Sequence, residues 1–255
     1  MTSTLIYHDI ADAAALDGVG FPGPLAARYK HTSERFDAHL AAIAAAGVAV
    51  GLIRPDISPP AVALTFDDGG ASALEIAARL EARGWRGHFF VTTGRIGTAG
   101  FLDAAGVREL ALRGHDVGSH SVSHPTYMGR LSRPEIEREW IGSRDRLAEI
   151  LGSPPTSAAI PGGYGGSLVV GAAAAAGYRV LMTSDPCARI DLTRGMLVVG
   201  RYTIWSTTPP ATAAAYARGD RYARARLRAE WRVKGLLKRA SPRIYDAARK
   251  VRARV

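Results

Sequence analysis

The sequence predicts an α/β fold, a parallel sheet of six to eight strands that suits a barrel. Three observations predict it. Short apolar runs alternate with helix-period segments over residues 1–217. Most predicted helices end on a glycine, the residue that suits a left-handed C-terminal cap. The polar residues of unusual type fall just after the predicted strands, where parallel barrels carry their active sites.

Taken in order, Thr4–Tyr7 reads as a strand and Ser33–Ala46 as a helix closed by Gly47. Ala61–Phe66 is a strand followed by the helix Ala71–Arg83, closed by Gly84. Gly87–Thr92 and His115–Ser119 are strands flanking the helix Ala104–Arg113, which Gly114 closes. Ser132-Arg133-Pro134-Glu135 is a capping box that opens a helix to about Leu151. Thr156–Ile160, the helix Ser167–Ala176, and the strands Tyr178–Thr183 and Met196–Ile204 complete the pattern. Strand–helix alternation implies right-handed crossovers, and six to eight strands suit a barrel better than a small open sheet. Residues 205–217, with Ser206-Thr207-Thr208-Pro209-Pro210, read as a connection, and 218–255 as one or two basic helices broken near Ser241-Pro242. The predicted units are thus a barrel over 1–217 and a basic helical tail over 218–255.

The formal charge of +10 is confined to that tail. Residues 218–255 hold 14 Lys and Arg against 3 Asp and Glu, and the remaining residues are close to neutral. A basic tail of this kind predicts attraction to an anionic membrane surface. No nucleic-acid motif accompanies it, so nucleic acid is not an expected partner. No run of 18 apolar residues exists. The N-terminus lacks a basic n-region and an apolar core, which predicts a cytoplasmic location by default, peripheral at the inner membrane face if the tail binds lipid. A single cysteine, Cys187, excludes an intrachain disulfide and a thiolate zinc cluster.

Four polar clusters follow strands: Asp67-Asp68-Gly69, His120-Ser-Val-Ser-His124, Pro161-Gly162-Gly163-Tyr164, and Ser184-Asp185. Histidines four apart in a loop can turn both imidazoles toward one point. A carboxylate from another strand end would complete a two-His, one-carboxylate site with open coordination positions. A divalent ion there would acidify a water. One aspartate of the adjacent pair can ligate while the other acts as base, because neighbouring side chains on a strand end point in different directions. His31 and His39, before or on a surface helix, and His88 and His115, at the opposite end of the barrel, read as structural. His8 follows the first strand on the catalytic face. It reads either as a structural residue or as a group near the site, with Asp9 placed to orient its ring.

On these residues the chain resembles the polysaccharide deacetylase family, the NodB-homology group of carbohydrate esterases. Thr65-Phe66-Asp67-Asp68-Gly69 matches the family's first motif letter for letter, and His120-Ser121-Val122-Ser123-His124 matches its second. The resemblance covers roughly residues 4–205. It implies a distorted, TIM-like (β/α)7 barrel of the NodB type and metal-dependent hydrolysis that removes an N-acetyl or related acyl group from a sugar, a polysaccharide or a lipid-linked sugar, with metal-bound water as nucleophile. It assigns Asp67 as catalytic base, and Asp68, His120 and His124 as ligands of a divalent metal, usually zinc. Pro161, Gly162, Gly163 and Tyr164 then lie toward substrate and oxyanion.

The later motifs depart from the pattern. The third motif's arginine, which steadies the catalytic aspartate, is replaced in Ala159-Ile160-Pro161-Gly162-Gly163, and the fourth survives at most as Asp185. The fifth should carry a general-acid histidine, but residues 196–210 contain none, which leaves His8 as the candidate acid. Two alternatives stand beside the deacetylase. One is a non-catalytic glycan-binding barrel that kept the metal site. The other is a deformylase or imidase of the same fold.

Overall fold

The computed structural model describes residues 2–163 and 165–240. Strands and helices alternate as β1 (Ser3–Tyr7), α1 (Pro24–Ala27), α2 (Ser33–Ala45), β2 (Val62–Phe66), α3 (Ala73–Glu81), β3 (His88–Val91), α4 (Ala104–Leu112), β4 (Asp116–Ser119), α5 (Arg133–Leu151), β5 (Ser157–Ala159), α6 (Ser167–Ala175) and β6 (Val180–Met182). They continue as β7 (Ile190–Thr193), β8 (Met196–Val199), β9 (Tyr202–Thr203), α7 (Pro210–Arg218) and α8 (Arg221–Ala240). The capping box forms at Ser132 and Glu135.

One sheet runs in the order β7-β8-β6-β5-β4-β3-β2-β1-β9. Every pairing is parallel except β7 with β8, a hairpin hung on the edge. Connectivity dictates curvature here. β8 pairs with β6 and β9 pairs with β1, so consecutive strands sit at opposite ends of the parallel ladder. Only Gly200 and Arg201 separate Val199 from Tyr202, which brings those two Cα atoms within about 11 Å. The sheet must curl for its ends to meet. β1 and β2 are buried along their whole length, as strands covered on both faces should be.

Two expectations for the chain's end change. The single strand expected over Met196–Ile204 is broken at Gly200-Arg201, because its halves belong to opposite ends of the ladder. The connection expected over 205–217 contains α7, which buries Ala213, Ala214, Tyr216 and Ala217. His39 and His31 are not on a surface either: both are buried. His39 meets the Tyr7 hydroxyl at 3.2 Å and the Thr208 carbonyl at 2.9 Å, locking α2 to the loop before α7. α8 lays Ala223 and Leu227 against the main core. The predicted break near Ser241-Pro242 lies outside the described residues. Among the described residues, no helix is long and apolar enough to cross a membrane.

Candidate functional site

The first two motifs meet at the C-terminal end of the barrel. Asp67 and Asp68 leave β2, with the Asp67 N–H donating to the Tyr7 carbonyl at 3.1 Å. His120 leaves β4, its N–H donating to the Val91 carbonyl at 2.9 Å. One oxygen of Asp68 lies 3.6 Å from Nε2 of His120 and 3.3 Å from Nε2 of His124. The potential ligand atoms of these three residues all lie within 4.8 Å of one another.

The backbone is bent to achieve this. Among described residues other than glycine, only Asp68, Ser121, His124 and Arg194 have positive φ, and the first three belong to this site. Such conformations cost free energy and persist where surrounding contacts hold them. Glu139 of α5 supplies those contacts for the histidine loop. Its carboxylate accepts from the Val122 and Ser123 N–H groups at 2.9 and 2.8 Å and from the Ser123 hydroxyl at 2.6 Å. The Ser121 hydroxyl accepts from the His124 N–H at 3.1 Å.

The donor set fits a divalent cation. His120 Nδ1 lies 2.9 Å from the Ala159 carbonyl, which fixes that nitrogen as the protonated one and leaves Nε2 its lone pair. Oδ1 of Asp68 is buried with no hydrogen-bond partner. Burial, with the charges of Asp67 and Asp9 behind it, pushes the Asp68 carboxyl well above the usual carboxylate range. Burial pushes His120 down to about 3 and lowers His124 too, keeping both rings neutral and able to ligate. A cation is the group that would satisfy this combination.

Asp67 is held otherwise, by a residue that the motifs did not reveal. Arg201 donates to Oδ1 of Asp67 at 2.7 Å and to Oδ2 at 2.9 Å. The same guanidinium donates to the Thr65 hydroxyl at 3.0 Å and the Thr183 carbonyl at 2.9 Å. It is wholly buried, beneath Phe90. The carboxylate clamp absent from the third motif is therefore built from the other side of the barrel, at the break between β8 and β9. Burial opposes the charged form of Asp67, but Arg201 and His120 outweigh it and hold the carboxyl at about 2.

His8 borders the same site. Its ring lies tilted against Tyr29, with 4.5 Å between centroids, and Tyr29 lies tilted against Trp205 at 4.7 Å. Burial pushes its pKa down to about 4, against the pull of Asp67 and with the push of Arg201 and His124. Nδ1 is buried without a hydrogen-bond partner. Asp9 does not orient this ring as expected. Its Oδ1 accepts from the Ser72 hydroxyl at 2.6 Å instead. On the far side, Phe21 covers His124 at 4.8 Å between centroids. Lys30 ties that loop down, donating to the Phe21 carbonyl at 2.7 Å. Pro161 is buried below Gly162 and Gly163, whose φ values are 62° and 68°. Tyr164 lies outside the described residues. Asp185 accepts the Arg201 N–H at 2.9 Å through its carbonyl, so it sits beside the seam and not among the ligands.

Residues 55–181 match the profile of the family described as polysaccharide deacetylase. The chain belongs to that family. No curated protein sequence matches it. Among solved structures it is similar to a polysaccharide deacetylase from Bacillus cereus, at 22% identity and a TM-score of 0.70 over 85% of this chain and 68% of that one. It is also similar to the Streptococcus pyogenes deacetylase PplD, at 21% identity and 0.67 over 82% and 94%. IcaB from Ammonifex degensii is 21% identical, at 0.67 over 85% and 97%. At these identities the likeness is one of fold, the curled NodB-type barrel. The family profile ends before Arg201, so the residue that clamps Asp67 lies outside the matched segment.

Proposed function

We propose that the chain is a metal-dependent deacetylase that hydrolyses an N-acetyl group on a sugar, with zinc as the metal. The observation that carries this reading is the unsatisfied trio of Asp68, His120 and His124 beside an Asp67 clamped by Arg201. A divalent cation held by the trio supplies Lewis acidity and brings the pKa of a water toward about 7.

This chain's residues do the rest. Asp67 stays ionised and accepts the proton lost by the attacking water. Arg201 keeps both of its oxygens in place, so that the base is oriented as well as charged. Gly162, exposed on a loop with no side chain in the way, offers its N–H to the developing oxyanion, with Pro161 and Gly163 fixing that loop. His8 is neutral at rest. During turnover it relays the proton that Asp67 has taken from the attacking water to the departing amine, in place of the missing late histidine. Phe21, Tyr29 and Trp205 restrict water around these transfers.

The substrate class is an acetylated sugar unit of a polysaccharide or of a lipid-linked precursor. The basic residues of 218–255 would draw the enzyme to an anionic membrane on the cytoplasmic side. The test is hydrolysis of a panel of N-acetylated sugars, nucleotide sugars and lipid-linked sugars by chelator-treated protein, with and without added zinc. Zinc-restored acetate release supports the reading. Saturable sugar binding with no acetate or formate release from any member would replace it by a glycan-binding barrel.

A further inference from the structure

A cavity of about 250 Å³ lies on the other flank of the Pro161–Gly166 loop. Its walls include Gly163, Gly166, Thr183, Asp185, Arg189 and, from α8, Trp231. Pockets for drug-sized ligands run to about 300–1,000 Å³, so this one admits a single ring and not a chain.

The wall materials define the ring. Ala223, Leu227 and Trp231 recur every four residues along one face of α8. The first two are spent on the barrel core, and Arg228 ties the helix to the 184–188 loop by donating to the Pro186 carbonyl at 3.3 Å. Trp231, one turn on, is half-buried and turned to the cavity. These three apolar positions of α8 are therefore occupied on the protein itself. Part of the same lining is bare backbone, at Gly163, Gly165, Gly166 and Gly200. A Cβ at Gly163 would strike the Ser184 side chain at 2.3 Å, so no larger residue fits that wall. The rest of the lining combines the apolar Ile160, Val170 and Val198 with a hydroxyl (Thr183), a carboxylate (Asp185) and a guanidinium (Arg189, paired with Asp191 at 3.2 Å).

A flat apolar face beside an edge of mixed donors and acceptors matches a pyranose. Its C–H face stacks on an aromatic ring, and its hydroxyls both give and accept hydrogen bonds. A phosphate would be repelled by Asp185 and Asp191, and an alkyl chain would leave the polar edge unsatisfied. The cavity also adjoins the catalytic frame. Thr183 lines it while its carbonyl holds Arg201, and Gly200 borders it next to Arg201.

We propose that this cavity binds a second sugar unit of the same substrate, with Trp231 as its platform, so that α8 is part of the substrate-binding surface. The proposal rests on the deacetylase reading for the identity of the substrate, but its test does not. Cys187, the only cysteine, lines the cavity and reports on it. The rate of iodoacetamide alkylation of Cys187 is measured in chelator-treated protein. The ligands are mono- and tetrasaccharides of N-acetylglucosamine, N-acetylgalactosamine and N-acetylmannosamine. At least one tetrasaccharide should slow alkylation several-fold, its monosaccharide much less, and Trp231→Ala should abolish the protection while Trp231→Phe keeps part of it. With zinc present, Trp231→Ala should raise KM for that tetrasaccharide about tenfold. Protection by no member of the panel, or protection that survives in Trp231→Ala, overturns the proposal. Trp231-dependent protection in a protein that deacetylates nothing would keep this sugar site and remove the deacetylase reading; deacetylation without protection would do the reverse.

Discussion

Both ends of this barrel carry buried histidines beside carboxylates, and the two ends are built to opposite rules. At the N-terminal end, His88 Nδ1 meets Asp116 at 2.7 Å and its Nε2 accepts the Ile53 N–H at 3.0 Å, while the Ser157 hydroxyl donates to the same carboxylate oxygen at 2.6 Å. His115 Nε2 meets Glu81 at 2.8 Å and its Nδ1 accepts the Gly87 N–H at 3.1 Å. Each ring nitrogen has a partner. At the C-terminal end, Oδ1 of Asp68, Nδ1 of His8 and Oδ2 of Asp9 are buried without one. Ser157, Asp116 and His88 include the three residue types of a hydrolytic triad. Yet the imidazole nitrogen that a nucleophile would need is taken by a backbone N–H. Unmet bonding capacity, not residue type, separates the working end from the structural one.

The largest contrast comes from removing one carboxylate at each end. Asp68→Asn should abolish metal binding and activity, yet leave the metal-free protein at least as stable as the metal-free parent. It relieves a buried carboxyl crowded by Asp67 and Asp9. Asp116→Asn should keep metal and turnover but lose about 1–3 kcal/mol, because His88 and Ser157 lose a charged partner. Elemental analysis, acetate release and thermal unfolding in chelator read all three. Equal destabilisation at both ends would break the comparison.

Asp67 sharpens it, since it belongs to the working end but is fully paired. Asp67→Asn should retain metal and lose on the order of 10²–10⁴ in rate. Arg201→Met should lose comparable activity and about 3–5 kcal/mol of stability, because it strands a buried carboxylate. In the double variant most of that stability should return, as no unpaired charge remains. Additive losses in the double-mutant cycle would mean that Arg201 serves the fold through Thr183 and Thr65 and not through Asp67.

Arg201 also marks where sequence reasoning stopped. The parallel strands are legible because strands covered on both faces are continuous apolar runs, and the clustering of Asp68, His120 and His124 is legible because its spacing is local to two strand ends. Arg201 pairs across 134 positions, from inside a run expected to be one unbroken strand. A signal was present: a charged residue flanked by Gly200 and Tyr202 within an apolar run must find a buried partner. α7 is hidden in the sequence for a different reason. Pro209-Pro210 reads as a loop, but Pro210 occupies the first turn of a helix, where its missing N–H costs nothing. The folding of α8 onto the barrel depends on contacts that no local pattern encodes.

A smaller effect should come from His8, the unpartnered ring at the site's edge. His8→Ala should lower turnover of an N-acetyl substrate about 10- to 100-fold and of an activated acetyl ester much less. The amine leaving group needs a proton, and a good ester leaving group does not. Equal losses on both substrates would make His8 a wall of the pocket, held there by Tyr29, and would leave the proton to Asp67.

The smallest effect belongs to the structural end and is read in acid. Hydrogen bonds from Arg113 outweigh the cost of burial and, with His115, hold Glu81 down at about 2. Burial also opposes the charged form of Asp116, but His88 and Ser157 lower it overall. A carboxyl depressed on folding binds its proton more readily in the unfolded chain. Its stabilising contribution is therefore complete above the unfolded value near 4.5 and disappears as pH falls toward about 2. Glu81 is partly open to solvent, so screening limits its share to about 1 kcal/mol. Glu81→Gln should lower the melting temperature by a few degrees at pH 7 and converge with the parent near pH 2, in chelator so that the metal site does not contribute. A constant gap between the two melting curves from pH 7 to pH 2 would show that the side chain acts through packing rather than through its charge, and the fully paired end would then owe its stability to shape alone.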